Sequence, residues 1–387
     1  MTRRLFVMRL APGAGLLALC LLAPRLGASQ GALPASLSDR EFWALSEQMS
    51  EPNGVFQSDN LLSNEMTLST VAAALAQRVK PGGAYLGVGP EQNFTYIAAI
   101  RPRIAFITDI RRGNLHMHLM YKALFELSAD RAEFFGRLFT KPRPTGLTPQ
   151  ASADTLMNAY WNVPTSDEAT YKRNLQDIYD VLVKKHGWTL STEDLDGIAR
   201  IYRMFYMYGP RITYSSSTQG ENARGVSYAD LMMTKDTVSG AERSYLSTED
   251  TFAFLKTLQS KNLVVPLVGD FAGPTALRAV GTYLRGRSAS VTAFYVSNVE
   301  QYLTRNNVWP AFCANVATMP LEEASVFIRP MGSAVMTGTY QITANGVPVT
   351  SGVLLNGTVV TQSQFVASMT GRGAPFGLMA TETAACK

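Results

Sequence analysis

Apolar and polar positions change their spacing along the 387-residue chain, and the changes mark out its elements. Ser38-Asp39-Arg40-Glu41 has capping-box spacing and predicts a helix to about Met49, stopped by Glu51-Pro52-Asn53-Gly54. A second, alanine-rich helix is predicted from Thr67 to Val79. The apolar run Ala84-Tyr85-Leu86-Gly87-Val88-Gly89 then enters a glycine turn, Asn93 to Ile100 reads as helix, and Ile104-Ala105-Phe106-Ile107-Thr108-Asp109 reads as a buried strand. Together they predict a βαβ unit. The next helix, about Asn114 to Leu127, has Leu115, Leu119, Ala123 and Leu127 on one face.

Helical spacing dominates from Lys141 to Lys261, with cap signals at Thr165 to Glu168, Ser191 to Asp194 and Ser247 to Asp250. Strand character returns at Leu263 to Asp270, followed by a helix over about Pro274 to Leu284 and strands at Ser290 to Val296 and Ser325 to Ile328. Beyond Met331 the chain is rich in Gly, Thr and Val, and Asn345-Gly346 and Asn356-Gly357 predict hairpin turns. The expected organisation is a targeting segment over 1–29, a linker and helix over 30–55, and the first half of an α/β core over 56–140. A mainly helical insertion over 141–261, the second half of the core over 262–330 and a C-terminal extension over 331–387 complete it.

Composition sharpens this in two places. Apolar residues make up 46% and charged residues 17%, so the chain has ample material for a folded core. The formal charge of +5 comes largely from Arg3, Arg4, Arg9 and Arg25; without them 31 bases face 30 acids. A nearly neutral remainder offers no broad electrostatic footprint for nucleic acid.

The basic start, the apolar stretch Leu10 to Ala23 and the small residues Gly27, Ala28 and Ser29 read as a cleaved signal peptide, predicting an exported protein, periplasmic or extracellular. A retained anchor is the alternative, but Pro12, Gly13, Gly15 and Pro24 interrupt a stretch too short to span comfortably. Thr2-Arg3-Arg4-Leu5-Phe6-Val7 resembles the twin-arginine export pattern, which implies export in the folded state. Only Cys313 and Cys386 then remain as cysteines, a pair that permits one disulfide in an oxidising compartment.

The chemistry-bearing positions cluster around the first strand. Gly87-x-Gly89 permits a tight turn and close approach of backbone to a ligand, with the N–H groups of the next helix facing an anion. Asp109 lies about twenty residues on, at the end of the second strand, where a carboxylate accepts hydrogen bonds from ribose hydroxyls. Gln92 stands where a dinucleotide motif requires its third glycine, which weighs against a standard NAD or FAD site.

The arrangement resembles the first motif and the acidic second-strand end of class I S-adenosylmethionine-dependent methyltransferases. The resemblance implies a Rossmann-like, methyltransferase-type sheet, Gly87 and Gly89 at the cofactor turn, Asp109 at the ribose, and Asp270 near the reacting end of the cofactor. Glu91, Gln92 and Asn93 adjoin the turn. Gln92 and Asn93 are expected to contact the cofactor; Glu91 and Asp270 are the candidate catalytic groups. Gly87-Val88-Gly89-Pro90-Glu91-Gln92-Asn93-Phe94-Thr95-Tyr96 and Val268-Gly269-Asp270-Phe271 also resemble an uncharacterised bacterial family with a methyltransferase-like core, from about Phe56 to Pro330.

Other segments read more plainly. Asp59, Asn60, Asn64 and Glu65 form a polar cluster placed to cap a helix or to close over a cleft mouth. His116 and His118 fall about 200° apart on a helix and His186 precedes a helix-ending Gly187, so no metal site is expected. Ile198 to Tyr208 combines aromatics with Arg200 and Arg203, but Leu195, Ile198, Ile201, Tyr202 and Phe205 fit a buried stripe. The expected function is an exported protein with a nucleoside-cofactor cleft. Its alternatives are a non-catalytic envelope protein binding a small molecule and an oxidoreductase exported with a dinucleotide.

Overall fold

A computed structural model describes residues 32–330 and 376–386, together with the backbone of three strands between residues 335 and 361. The proposed signal peptide lies outside the described residues.

The chain forms a mixed α/β fold around a six-stranded sheet. Its strands are β1 (Ala84–Gly87), β2 (Ile104–Asp109), β3 (Val264–Val268), β4 (Val291–Tyr295), β5 (Leu321–Ile328) and β9 (Phe376–Leu378), in spatial order β3-β2-β1-β4-β5-β9. The first five are mutually parallel and β9 runs antiparallel to β5. All residues of β1 to β4 are buried, which is why each reads as a continuous apolar run rather than an alternating one. The chain order reverses between β1 and β4, which places a topological switch point at their carboxyl ends.

Helices α1 (Asp39–Gln48) and α2 (Leu68–Arg78) precede β1, and α3 (Gln92–Ile100) links it to β2. α3 packs against α2 and α11, which buries nearly all of it. Everything between β2 and β3 is helical or irregular: α4 (Arg112–Leu127), α5 (Arg131–Phe139), α6 (Ala153–Trp161), α7 (Glu168–Tyr179), α8 (Thr192–Tyr208), the short α9 (Ser216–Gln219) and α10 (Tyr228–Met232), and α11 (Glu249–Ser260). α4 lies against β3 and supports α8, so the helical layer is built on the sheet. Ile198, Ile201, Tyr202 and Phe205 of the expected stripe are buried in α8, and Leu195, one turn earlier, is half-buried. After β3 come α12 (Ala276–Arg285), α13 (Val299–Arg305), α14 (Trp309–Ala317) and, past β9, α15 (Met379–Glu382).

Local capping shows where composition misleads. Ser38 and Ser191 form the expected capping boxes with Glu41 and Asp194. The helix expected to be capped by Thr165 is instead capped by Asp167, whose carboxylate accepts from the Thr170 N–H. Thr248, not Ser247, caps α11 and pairs with Thr251, leaving Asp250 to bond Arg101. In both cases a second competent cap stood one or two residues further on, and the start of the helix selected it.

Strands β6 (Val335–Ala344), β7 (Val347–Leu355) and β8 (Thr358–Thr361) form an antiparallel sheet. They flank residues 345–346 and 356–357, whose Asn-Gly pairs lie outside the described residues. Two ties fasten the C-terminal segment to the core: Cys313 and Cys386 form a disulfide with Cα atoms 5.7 Å apart, and Arg329 bridges Glu300 and Glu382. Among the described residues, no helix is long and apolar enough to cross a membrane.

Candidate functional site

A cavity of about 540 Å³ opens at the carboxyl ends of β1, β2, β4 and β5, over the switch point. Gly89, Asp109, Tyr295 and Pro330 mark where those strands reach it, and Asn60, Asn64 and Glu65 of the loop before α2 also line it. This volume falls in the range of small-molecule sites.

The two glycines do different work. Gly89 adopts φ of +75°, and a Cβ there would meet nothing within 4 Å, so its backbone turns openly toward the cavity. Gly87 instead leaves room for a neighbour: a Cβ would fall 1.8 Å from Asn93 Oδ1. Asn93 fills that room as a staple, donating from Nδ2 to the carbonyls of Val88 (2.9 Å), Gly89 (3.2 Å) and Pro90 (2.7 Å) and accepting from the Tyr85 hydroxyl (2.8 Å). His118 adds a contact from Nε2 to the Gly89 carbonyl at 2.9 Å. Burial pulls its imidazole down to about 4, so the ring is neutral and Nε2 is the donor.

Asp109 borders the cavity with its carboxylate largely committed. Oδ1 accepts from the Arg111 backbone N–H and Nε, and Oδ2 from Nη2, all at 2.9 Å. A carboxylate offers about four acceptor positions, so one, on Oδ2, remains. The same guanidinium donates to the carbonyls of Ser58 and Asp59, tying the loop that walls the cavity to the end of β2. Arg112 N–H to Asn53 and Gly54 N–H to Ile110 fasten that loop further.

Under the end of β4, Glu65 is the centre of a second network. Oε1 accepts from the Tyr295 hydroxyl (2.6 Å) and Ser297 Oγ (2.8 Å), and Oε2 from Gln92 Nε2 (2.8 Å). The residue as a whole is half-buried but its carboxyl group is deep, and burial raises its pKa against those three hydrogen bonds. Ser297 holds φ of +48°, a left-handed conformation costly for a non-glycine residue, and this turn delivers its hydroxyl to Glu65. Behind this layer Gln92 also bonds Tyr96 and Ser63, and Glu91 is fully buried with Oε2 unpartnered. Burial pushes the Glu91 carboxyl up to about 8.

The structure therefore brings Gly89 and Asp109 to the cavity and sets Gly87, Glu91, Gln92 and Asn93 behind it, where they shape the turn. Asp270 is not among the described residues that line the cavity. Its strand β3 pairs with β2 at the sheet edge rather than with β1 or β4, and its carboxylate accepts from the Ala272 N–H at 2.8 Å. Pro266 was the available signal, because proline within a strand favours an edge. Tyr295, Ser297 and Asn298 were missed, although the strand that carries them was anticipated. Among the described residues, no group of three His, Cys, Asp or Glu side chains could hold a metal ion.

The family model for a domain of unknown function, DUF7790, matches residues 61–372. The chain belongs to that family, whose span includes most of the described cavity wall and both halves of the sheet. No curated protein matches the chain.

Proposed function

We propose that the chain is an exported protein whose switch-point cavity binds an S-adenosyl compound in a methyltransferase-like cleft. The observation that carries this reading is the cavity itself, seated where the chain order reverses between the paired strands β1 and β4 in a β3-β2-β1-β4-β5 order with an antiparallel strand beyond β5. That order resembles the class I methyltransferase sheet. The residues fit the group: Gly89 offers open backbone, Asp109 keeps one acceptor for a ribose hydroxyl, and the volume suits a nucleoside. S-adenosylmethionine supplies a transferable methyl group when bound; Gly89 and Asp109 would hold and orient it.

A dinucleotide has less support. The N–H groups of Asn93 and Phe94 at the start of α3 are spent on Pro90 and Glu91 carbonyls, and no Lys, Arg or His is among the described lining residues to meet a pyrophosphate. A non-catalytic binding protein is the second reading, favoured by the three Asp109 acceptor positions already given to Arg111. The Cys313–Cys386 disulfide supports an oxidising compartment, and with it export.

Calorimetric titration tests the ligand. S-adenosylhomocysteine is expected to bind and NAD to bind far more weakly; Asp109→Ala should weaken binding by about tenfold. Arg111→Met, which leaves the Asp109 acceptors in place, should retain it. Unchanged affinity in Asp109→Ala would remove the ribose assignment, and preferential binding of NAD would overturn the reading.

A further inference from the structure

The cavity is asymmetric in charge. At its β2 end the Asp109 carboxylate already has a guanidinium partner in Arg111. At its β4 end the Glu65 carboxylate is held, among the described residues, by neutral donors alone: two hydroxyls and one amide. A deep carboxylate satisfied in hydrogen bonds but not in charge keeps a desolvation cost that a cation can offset. Tyr214, Tyr295 and Tyr302 also line the cavity, and the Tyr302 ring already carries a cation, the Arg305 guanidinium at 5.2 Å from its centroid. Three of the four Glu65 acceptor positions are used, and the fourth, on Oε2, is open.

We propose that the Glu65 end of the cavity is an ammonium subsite, where Glu65 receives a protonated amine on the bound molecule and Tyr295 and Ser297 fix the carboxylate that receives it. Ser297 supports the assignment, since its left-handed backbone conformation serves to bring one more donor to Glu65. Phosphorylated groups are disfavoured at this end for the same electrostatic reason. The inference rests on the cavity being a ligand site, as proposed above, but not on that ligand being a nucleoside.

The experiment is calorimetric titration of the whole mature protein and of Glu65→Gln with three probes: adenosine, 5′-amino-5′-deoxyadenosine and putrescine. Gln keeps the size and an acceptor while removing the charge, and circular dichroism and thermal melting establish that the variant is folded. Expected in the unsubstituted protein is an affinity about tenfold higher for the aminonucleoside than for adenosine. In Glu65→Gln that preference should vanish with adenosine affinity unchanged. Where the nucleosides bind, a preference that is absent in the parent protein, or persists in Glu65→Gln, overturns the subsite. Failure of both nucleosides with putrescine bound in a Glu65-dependent manner overturns the nucleoside reading and keeps the subsite. Failure of all three overturns both. Should Glu65→Gln not fold, Ser297→Ala replaces it, with the expected preference reduced rather than abolished.

Discussion

Replacing Glu91 by Gln should flatten part of the pH dependence of stability. Glu91 is fully buried; its Oε1 accepts from the Ser63 N–H at 3.3 Å and its Oε2 has no partner among the described residues. Its carboxyl holds its proton to about pH 8 in the folded chain and releases it near 4.5 when unfolded. Across that window the folded state binds the extra proton, so this group's contribution falls as pH rises and levels off above about 8. The limiting slope is about 1.4 kcal/mol per pH unit and lessens as pH nears 8, so between pH 5.5 and 7.5 the parent should lose about 2–3 kcal/mol relative to Glu91→Gln. With an unfolding entropy of about 2.1 cal/mol/K per residue over the chain, that is a relative shift in Tm of about 3 °C. The assay is urea unfolding of both proteins at matched pH values, supported by thermal melts. Groups common to both, His118 among them, cancel in the difference. A difference that stays constant within about 0.5 kcal/mol across those two pH units would refute a neutral, buried Glu91.

Two further perturbations follow from the geometry. Gly87→Ala should cost about 3 kcal/mol in urea unfolding, because its Cβ would displace Asn93 from several buried hydrogen bonds; Gly89→Ala, strained but facing open space, should cost only about 1–2 kcal/mol. Equal costs would contradict the separate roles of the two glycines. Reducing the Cys313–Cys386 disulfide opens a loop spanning 73 residues of sequence and should lower stability by up to about 4 kcal/mol, read as a lower urea midpoint in reductant. No change in midpoint would show that the bond does not constrain the unfolded chain.

The parts of this molecule that were legible in the sequence are those fixed by local pattern. Continuous apolar runs gave away β1 to β4 because parallel strands are buried on both faces, and the glycine turn and Asp109 followed from their positions at strand ends. The polar cluster before α2 was also readable, and Asn60, Asn64 and Glu65 do wall the cavity. What was not legible was spatial order. Nothing local says that β4, and not β3, lies beside β1, so Asp270 was placed at the cleft and Tyr295 and Ser297 were passed over. Nor does a sequence say which way a polar side chain faces once its helix is buried all round. Gln92 and Asn93 looked like ligand contacts, yet the packing of α3 turns them inward to hold the turn from behind.

The most direct test of the central claim is a crystal structure of the protein determined with S-adenosylhomocysteine present at saturating concentration. The account predicts the nucleoside across the carboxyl ends of β1 and β4, with its ribose at Asp109, its backbone contacts at Gly89 and its amine at Glu65. A ligand seated elsewhere, or an empty cavity at that concentration, would contradict it.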